Sequence, residues 1–287
     1  MKTSNHLLRR LTAALLAAVL ALSIALPVFA SDDGDTIYIN SVSDLLSLAR
    51  SCAYDQWSVG KTVILQKDLS LEGMLWEPIP SFSGQFKGNG HTVSDLTITG
   101  QYSPAGLFGI VEEQGSIESL SVRGVVSVSD SADTTTGGIV GINHGTLISC
   151  QFTGVVTGDS EVGGIVGRNE SEGTIDHSTA RAIVTGKSST GGIAGYNLGA
   201  ITGCTNVGSI NTEYPEASLD TDGFTAKMVD YINNKMAAAA DDATNSVTNV
   251  ATDTGGVAGR SSGMILTSVN TGTIGYEHVG YNVGGIV

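Results

Sequence analysis

The residues that could do chemistry are few and scattered. Four histidines lie beyond the first thirty residues, His91, His144, His177 and His278, and none sits in an H-E-x-x-H pattern. A zinc hydrolase needs such ligands clustered on one face, so no metal site is expected. His144 and His177 fall near one corner of neighbouring repeats at different offsets, as polar corner residues do. Acids group most densely around Arg168, with Glu161, Glu170, Glu172 and Asp176 close in sequence. Paired carboxylates beside a base are what glycan cleavage would need, and this cluster is the candidate surface site. In so acidic a chain the same grouping also arises as ordinary turn residues, so no catalytic residue is assigned. Asp220, Asp222, Asp241 and Asp242 offer at most a weak calcium site, and the G-G-x-G-x-D signature of calcium-binding rolls is missing. No cofactor-binding residue is assigned either.

What must position these residues is a repeat. The phrases Gly137-Gly138-Ile139-Val140-Gly141, Gly163-Gly164-Ile165-Val166-Gly167, Gly191-Gly192-Ile193-Ala194-Gly195 and Gly255-Gly256-Val257-Ala258-Gly259 recur, and a further one opens at Gly284. Their last glycines at 141, 167 and 195 lie 26 and 28 residues apart. Each unit adds a second apolar piece (Leu147, Ile175, Ile201) and a third (Val156, Val184, Ile210). Three short strands in about 27 residues are too few for a propeller blade and lack the Asn-Gly turns of hairpins. The period predicts an all-β, right-handed parallel β-helix of three-strand coils, in which equivalent positions stack into a continuous core. Ile139, Ile165, Ile193, Val257 and Ile286 form one expected ladder. Ile117, Leu147, Ile175, Ile201 and Ile265 form the second, and Val126, Val156, Val184, Ile210 and Ile274 the third. Asn143, Asn169 and Asn197 recur two residues after the last glycine of the phrase. Asn favours turns by bonding nearby backbone, so these should stack and satisfy the corner.

The step from Ile201 to Ile265 is 64 residues, so an insertion is expected within 212–252. Its Phe224, Met228, Tyr231, Ile232 and Met236 have helical spacing. Upstream, Ser41 and Asp44 read as a capping box before Leu45, Leu46 and Leu48, within a segment, 31–80, expected to cap the β-helix proper at 81–287. The last repeat breaks off at Val287, which suggests a longer parent protein.

Lys2, Arg9 and Arg10, the apolar run from Leu11 to Leu26, and Val28-Phe29-Ala30 describe a signal peptide over 1–30, with cleavage after Ala30. The chain is thus expected to be secreted or displayed at the cell surface, with no membrane segment left once the signal is removed. Removal of those three cations takes the formal charge from −14 to −17, which disfavours nucleic acid as a partner. Cys52, Cys150 and Cys204 are too few and too uneven for a disulfide framework. Cys150 and Cys204 share a repeat position two coils apart, about 9–10 Å, beyond disulfide reach, so all three are expected as free thiols.

The run from Gly137 to Val156, with its G-G-I-V-G-x-N-x-G-x-I-x-x-C order, resembles the GLUG motif of bacterial surface proteins. Ser83–Val93, with Leu96-Thr97-Ile98 and Ala105–Gly109, resembles the coil that leads into those motifs. The resemblance implies a β-helical stalk or adhesin-like binding region of an exported bacterial protein, whose partner would be a host or environmental glycan or a surface protein. It also implies kinship with the non-catalytic part of large IgA-cleaving metallopeptidases. A polysaccharide lyase or hydrolase is the enzymatic alternative. Nothing in the sequence sets the oligomeric state.

Overall fold

The computed structural model describes residues 35–54, 56–128, 134–212, 229–230, 252–275 and 281–287. The expected signal peptide lies outside the described residues, as does nearly all of the expected insertion; of its expected helix, Val229 and Asp230 are described and are helical. From Thr36 to Val287 the chain forms one compact unit.

Every strand pairing among the described residues is parallel, and the strands fall into four sheets. Sheet I has eight strands: Thr36–Ile39, Thr62–Leu65, Gln85–Lys87, Ser116–Glu118, Thr146–Ile148, Thr174–Asp176, Ala200–Thr202 and Met264–Leu266. Sheet II holds the longest strands, among them Thr92–Gly100, Ser121–Val128, Gln151–Thr157 and Thr179–Thr185. Sheet III stacks Ile79–Phe82, Phe108–Val111, Val140–Asn143, Val166–Asn169, Ala194–Asn197 and Ala258–Ser261. Sheet IV stacks the short strands Thr136–Gly137, Val162–Gly163, Ser188–Gly191, Thr252–Gly255 and Tyr281–Gly284. From Thr136 onward each coil visits sheets IV, III, I and II in turn, and the result is a parallel β-solenoid of about seven turns.

The sequence suggests three strand pieces per coil, and the pairings give four ladders. The reason lies in the recurrent glycine phrase. Its first glycine ends a strand of sheet IV, the next two residues bend, and its fourth residue opens a strand of sheet III. Glycine is required in that bend by close approach: a Cβ on Gly164 would overlap the Gly192 carbonyl oxygen of the next coil and come within 3.0 Å of the Ala180 side chain. The corner between sheets I and II is turned differently. Ser119, Ser149, His177 and Thr267 stand there with φ of 53°, 53°, 44° and 47°, and Gly203 holds the same place at 61°. Left-handed backbone at four side-chain-bearing residues is costly in isolation; here each turn delivers the next residue, Leu120, Cys150, Ser178, Cys204 or Ser268, toward the interior.

Successive rungs bury the aliphatic positions in register. Leu147 pairs with Ile117 and Ile175, and Ile201 with Ile175 and Ile265. Val156 pairs with Val126 and Val184, Val184 with Ile210, and an isolated bridge joins Ile210 to Ile274. The step from Ile201 to Ile265 is therefore a single rung. Phe82, Phe86 and Phe108 fill the interior of the early coils, with centroids 5.4–6.3 Å apart, and Trp76 donates Nε1–H to the Leu107 carbonyl at 3.1 Å.

Residues 31–80, expected as a separate cap, supply rungs of the same sheets: Thr36–Ile39 and Thr62–Leu65 begin sheet I, Leu69–Ser70 begins sheet II and Ile79–Phe82 begins sheet III. An expected boundary at residue 80 thus falls inside continuous ladders. The helix α1, Val42–Ser51, packs buried Leu45 and Leu48 into the core. Its start is capped reciprocally. Ser41 Oγ accepts from the Asp44 N–H at 3.2 Å, and Asp44 Oδ2 accepts from the Asn40 N–H at 2.9 Å. No helix among the described residues is long and apolar enough to cross a membrane.

Candidate functional site

Inside the solenoid the polar residues are committed to structure. Asn143, Asn169 and Asn197 are fully buried at one position of sheet III, paired rung to rung. Asn143 Nδ2 donates to Asn169 Oδ1 at 2.8 Å and Asn169 Nδ2 to Asn197 Oδ1 at 2.8 Å. Asn197 Nδ2 donates to Ser261 Oγ at 3.1 Å. Each amide also bonds the carbonyl of the glycine that follows, Gly145, Gly173 or Gly199. A buried amide is tolerated where its donors and acceptor find partners, as they do at Asn169 and Asn197. A second such pair joins Asn206 Nδ2 to Asn270 Oδ1 at 2.8 Å, and Asn211 Nδ2 donates to Thr254 Oγ1 at 3.0 Å. These were not singled out in the sequence; the spacing of 64 from 206 to 270, equal to that from Ile201 to Ile265, was the available signal.

Ile139, Ile165, Ile193 and Val257 lie fully buried at the bend between sheets IV and III, while Ile286 is 39 % exposed. Their backbones connect in series, from the Ile139 N–H to the Ile165 carbonyl, Ile165 to Ile193, Ile193 to Val257 and Val257 to Ile286, at 2.8–3.0 Å. Cys150, Ser178 and Cys204 occupy one interior column. The Cys150 N–H donates to Ser178 Oγ at 3.1 Å and the Ser178 N–H to Cys204 Sγ at 3.5 Å. All three cysteines are free and buried. Burial pushes the Cys150 thiol up to about 12, and those of Cys52 and Cys204 up to about 11.

On the outside, three of the five grouped surface residues meet. Arg168 Nη1 donates to Glu161 Oε1 and Arg168 Nε to Glu170 Oε1, each at 2.6 Å. Partial burial opposes the guanidinium charge, but Glu170 and Glu161 outweigh it and hold its pKa above the ordinary value. Glu161 Oε2 also accepts from Thr135 Oγ1 at 3.1 Å. Glu172 instead accepts from its neighbour Ser171, a bond that lowers its pKa, and Asp176 is paired with His177 Nδ1 at 2.8 Å on sheet I. The five therefore do not converge on one point.

Arg168 belongs to a different grouping, a row along the outer face of sheet III. Ser81, Ile110, Ile142, Arg168, Tyr196 and Arg260 are partners rung after rung. Tyr196 lies between two cations: the Arg168 guanidinium carbon is 4.9 Å and that of Arg260 5.5 Å from its ring centroid. Arg168, Tyr196 and Arg260 each directly follow the last glycine of a repeat phrase, so their alignment is visible in the sequence once the coils are stacked. Near the start of the row an open depression of about 450 Å³ lies beside Ser81, Ser83, Glu112 and Glu113; the Ser81 hydroxyl donates to Glu112 Oε1 at 2.7 Å. Among the described residues no three His, Cys, Asp or Glu side chains are grouped to hold a metal ion.

Comparison with known proteins agrees with this architecture. The GLUG motif family model matches residues 158–185, a span running from Gly158 through the strand Thr179–Thr185. Over 155 residues the chain is 30% identical to halomucin from Haloquadratum walsbyi, a match that covers 50% of this chain and 2% of halomucin. It is 28% identical over 137 residues to a protein of Evansella cellulosilytica provisionally named a Gly-rich membrane protein, covering 34% of this chain and 16% of that one. The chain thus spans a small fraction of these relatives' length. Among solved structures, a Bacteroides ovatus protein provisionally named an immunoglobulin A1 protease superposes with a TM-score of 0.57 at 18% identity, over 86% of this chain and 70% of that one. At that identity the likeness is one of fold. The chain is an all-β parallel solenoid that carries the GLUG motif.

Proposed function

We propose that this solenoid is the non-catalytic stalk or binding module of an exported bacterial surface protein. The observation that carries the reading is the unbroken stacking of the coils. Eight strands of sheet I in parallel register make a rod of about 34 Å at about 4.8 Å per rung, filled by aliphatic and asparagine ladders. Met1–Ala30 supply the export signal, the winding is right-handed, and α1 covers the first rungs, where a solenoid otherwise leaves strand edges and core open. The acids at the surface cluster do not suit glycan cleavage. A glycosidase needs one protonated and one ionised carboxyl across the sugar, whereas Glu161 and Glu170 are both spent on Arg168.

The experiment is to pass the mature chain over host and plant polysaccharides while measuring retention and newly formed reducing ends. Retention without new ends supports the module; turnover overturns it. The name of the Bacteroides ovatus neighbour favours a second reading, in which the solenoid is the non-catalytic part of a larger surface peptidase.

A further inference from the structure

Arg168 and Arg260 occupy the same place in their coils, two rungs apart, yet their surroundings differ in a way that matters for binding. Arg168 is neutralised by the acid seven residues before it, Glu161, and by the one two residues after it, Glu170. At the matching places around Arg260 stand Asp253 and Ser262. Asp253 is turned to the next coil, where its Oδ1 accepts from Asn282 Nδ2 at 2.8 Å, and Ser262 carries no charge. Among the described residues Arg260 therefore makes no ion pair, although the chain as a whole carries a formal charge of −14.

Arg260 is nevertheless placed. Its guanidinium lies over the Tyr196 ring, and Tyr196 is backed on its other side by Arg168, which two carboxylates fix. Among the described residues the Arg260 guanidinium makes no hydrogen bond, so its N–H fork is unspent. That fork is the geometry that matches a carboxylate with two parallel hydrogen bonds. An exposed, oriented and unneutralised fork on an acidic surface is complementary to an isolated carboxylate carried on an otherwise neutral chain.

We infer that Arg260, held by Tyr196 and buttressed by Arg168, is the carboxylate-binding point of a site for neutral polysaccharides that carry isolated uronic-acid residues, on the outer face of sheet III. This rests on the binding-module reading and names the ligand class. Arg260 binds the carboxylate; Tyr196 and Arg168 are positioning residues for it. Next to Arg260 in the row, the Tyr196 ring gives a sugar an apolar surface beside the charge.

The test compares retention of the mature chain on immobilised glucuronoxylan, a largely neutral polymer with sparse uronic-acid branches, with retention on the same polymer after methyl esterification, which removes the carboxylate charge and keeps the sugar. The expected result is retention on the free acid alone, weakened by added salt and reduced about tenfold by Arg260→Ala, the scale of one charge-assisted contact. Arg260→Lys, which keeps charge and loses the fork, should fall between. Tyr196→Leu should weaken retention and narrow the difference between Arg and Lys at 260. Thermal unfolding by circular dichroism shows whether each variant is folded. Equal retention on the esterified polymer, or an Arg260→Ala protein that folds and binds as the parent does, overturns the site. If the parent is meanwhile retained by a neutral polysaccharide, the site is overturned while the binding-module reading stands.

Discussion

Replacing Asn169 by alanine should be among the more damaging single changes in the interior. Asn169 accepts from Asn143 Nδ2 at 2.8 Å and donates to Asn197 Oδ1 at 2.8 Å and to the Gly173 carbonyl at 3.1 Å. Three hydrogen bonds at a net value of about 1 kcal/mol each give about 3 kcal/mol, and the buried partners left unsatisfied raise the cost to about 3–5 kcal/mol. Asn143 is the end of the ladder. Its Oδ1 has no hydrogen-bond partner among the described residues, and its amide makes close bonds to Asn169 and Gly145, so Asn143→Ala should cost about 2 kcal/mol. Asn169→Asp sharpens the test. A carboxylate there can still accept from Asn143, but it would face Asn197 Oδ1 and the Gly173 carbonyl with no proton to give. Its pKa in the folded state must then rise above the unfolded value of about 3.9. A raised folded pKa means stability present at low pH and lost as pH rises through that value, so Asn169→Asp should be less destabilised at acid pH than at neutral pH. Urea unfolding followed by far-UV circular dichroism gives the costs, and amide exchange at Gly173 and Asn197 shows where the loosening falls. A cost for Asn169→Ala below about 1 kcal/mol, or one equal to that of Asn143→Ala, would refute the argument that the ladder's interior bonds stabilise the coil.

Three further outcomes follow from the geometry. Gly164→Ala should destabilise by about 2–3 kcal/mol, because its new methyl meets the Gly192 carbonyl and the Ala180 side chain in neighbouring rungs; urea midpoints measure it. Cys52, Cys150 and Cys204 should be unreactive toward a thiol reagent at neutral pH in the folded chain and yield three thiols on unfolding without reductant, since burial pushes them to about 11, 12 and 11. Asp44 has a lowered pKa, first from the Asn40 N–H and then from Ser41. Its contribution to the start of α1 is therefore complete above its unfolded pKa and lost as pH falls through the folded value. Asp44→Asn should flatten that acid limb in a plot of midpoint against pH.

What the sequence displays and what it hides divide along the direction in which side chains point. Interior positions are forced to agree between coils, because each rung's side chain packs on its own counterpart about 4.8 Å away. Hence Ile117, Leu147, Ile175 and Ile201 line up by inspection, and Asn143, Asn169 and Asn197 betray themselves by recurrence: an amide can be buried there when the next rung supplies its partner. The backbone turns were less legible. Left-handed φ at Ser149, His177 and Thr267 leaves no common residue type, and Gly203 alone hints that the position bends. The split of each repeat's first piece between sheets IV and III was equally hidden, since the glycine phrase reads as one unit until close approach to the next coil bends it. The first coils also contain long side chains and no glycine phrase, so 31–80 reads as a cap although the strands from Thr36 to Phe82 belong to the same sheets.

The surface row shows why function must be sought in differences between repeats. Val140, Val166, Ala194 and Ala258 in sheet III are all buried aliphatics, and Asn143, Asn169 and Asn197 are identical. One residue before each asparagine or its counterpart, on the outer face of the same strands, the chain reads Ile110, Ile142, Arg168, Tyr196 and Arg260. Packing places no demand on those positions, so their identity is set by what they meet outside or by one another. Arg168 shows the second case, closed on itself by Glu161 and Glu170. Arg260 shows the first, because the coil that carries it has exchanged one of those acids for serine and turned the other toward Asn282. A motif that builds the rod therefore says little about its ligand; the substitutions it tolerates between one coil and the next say more.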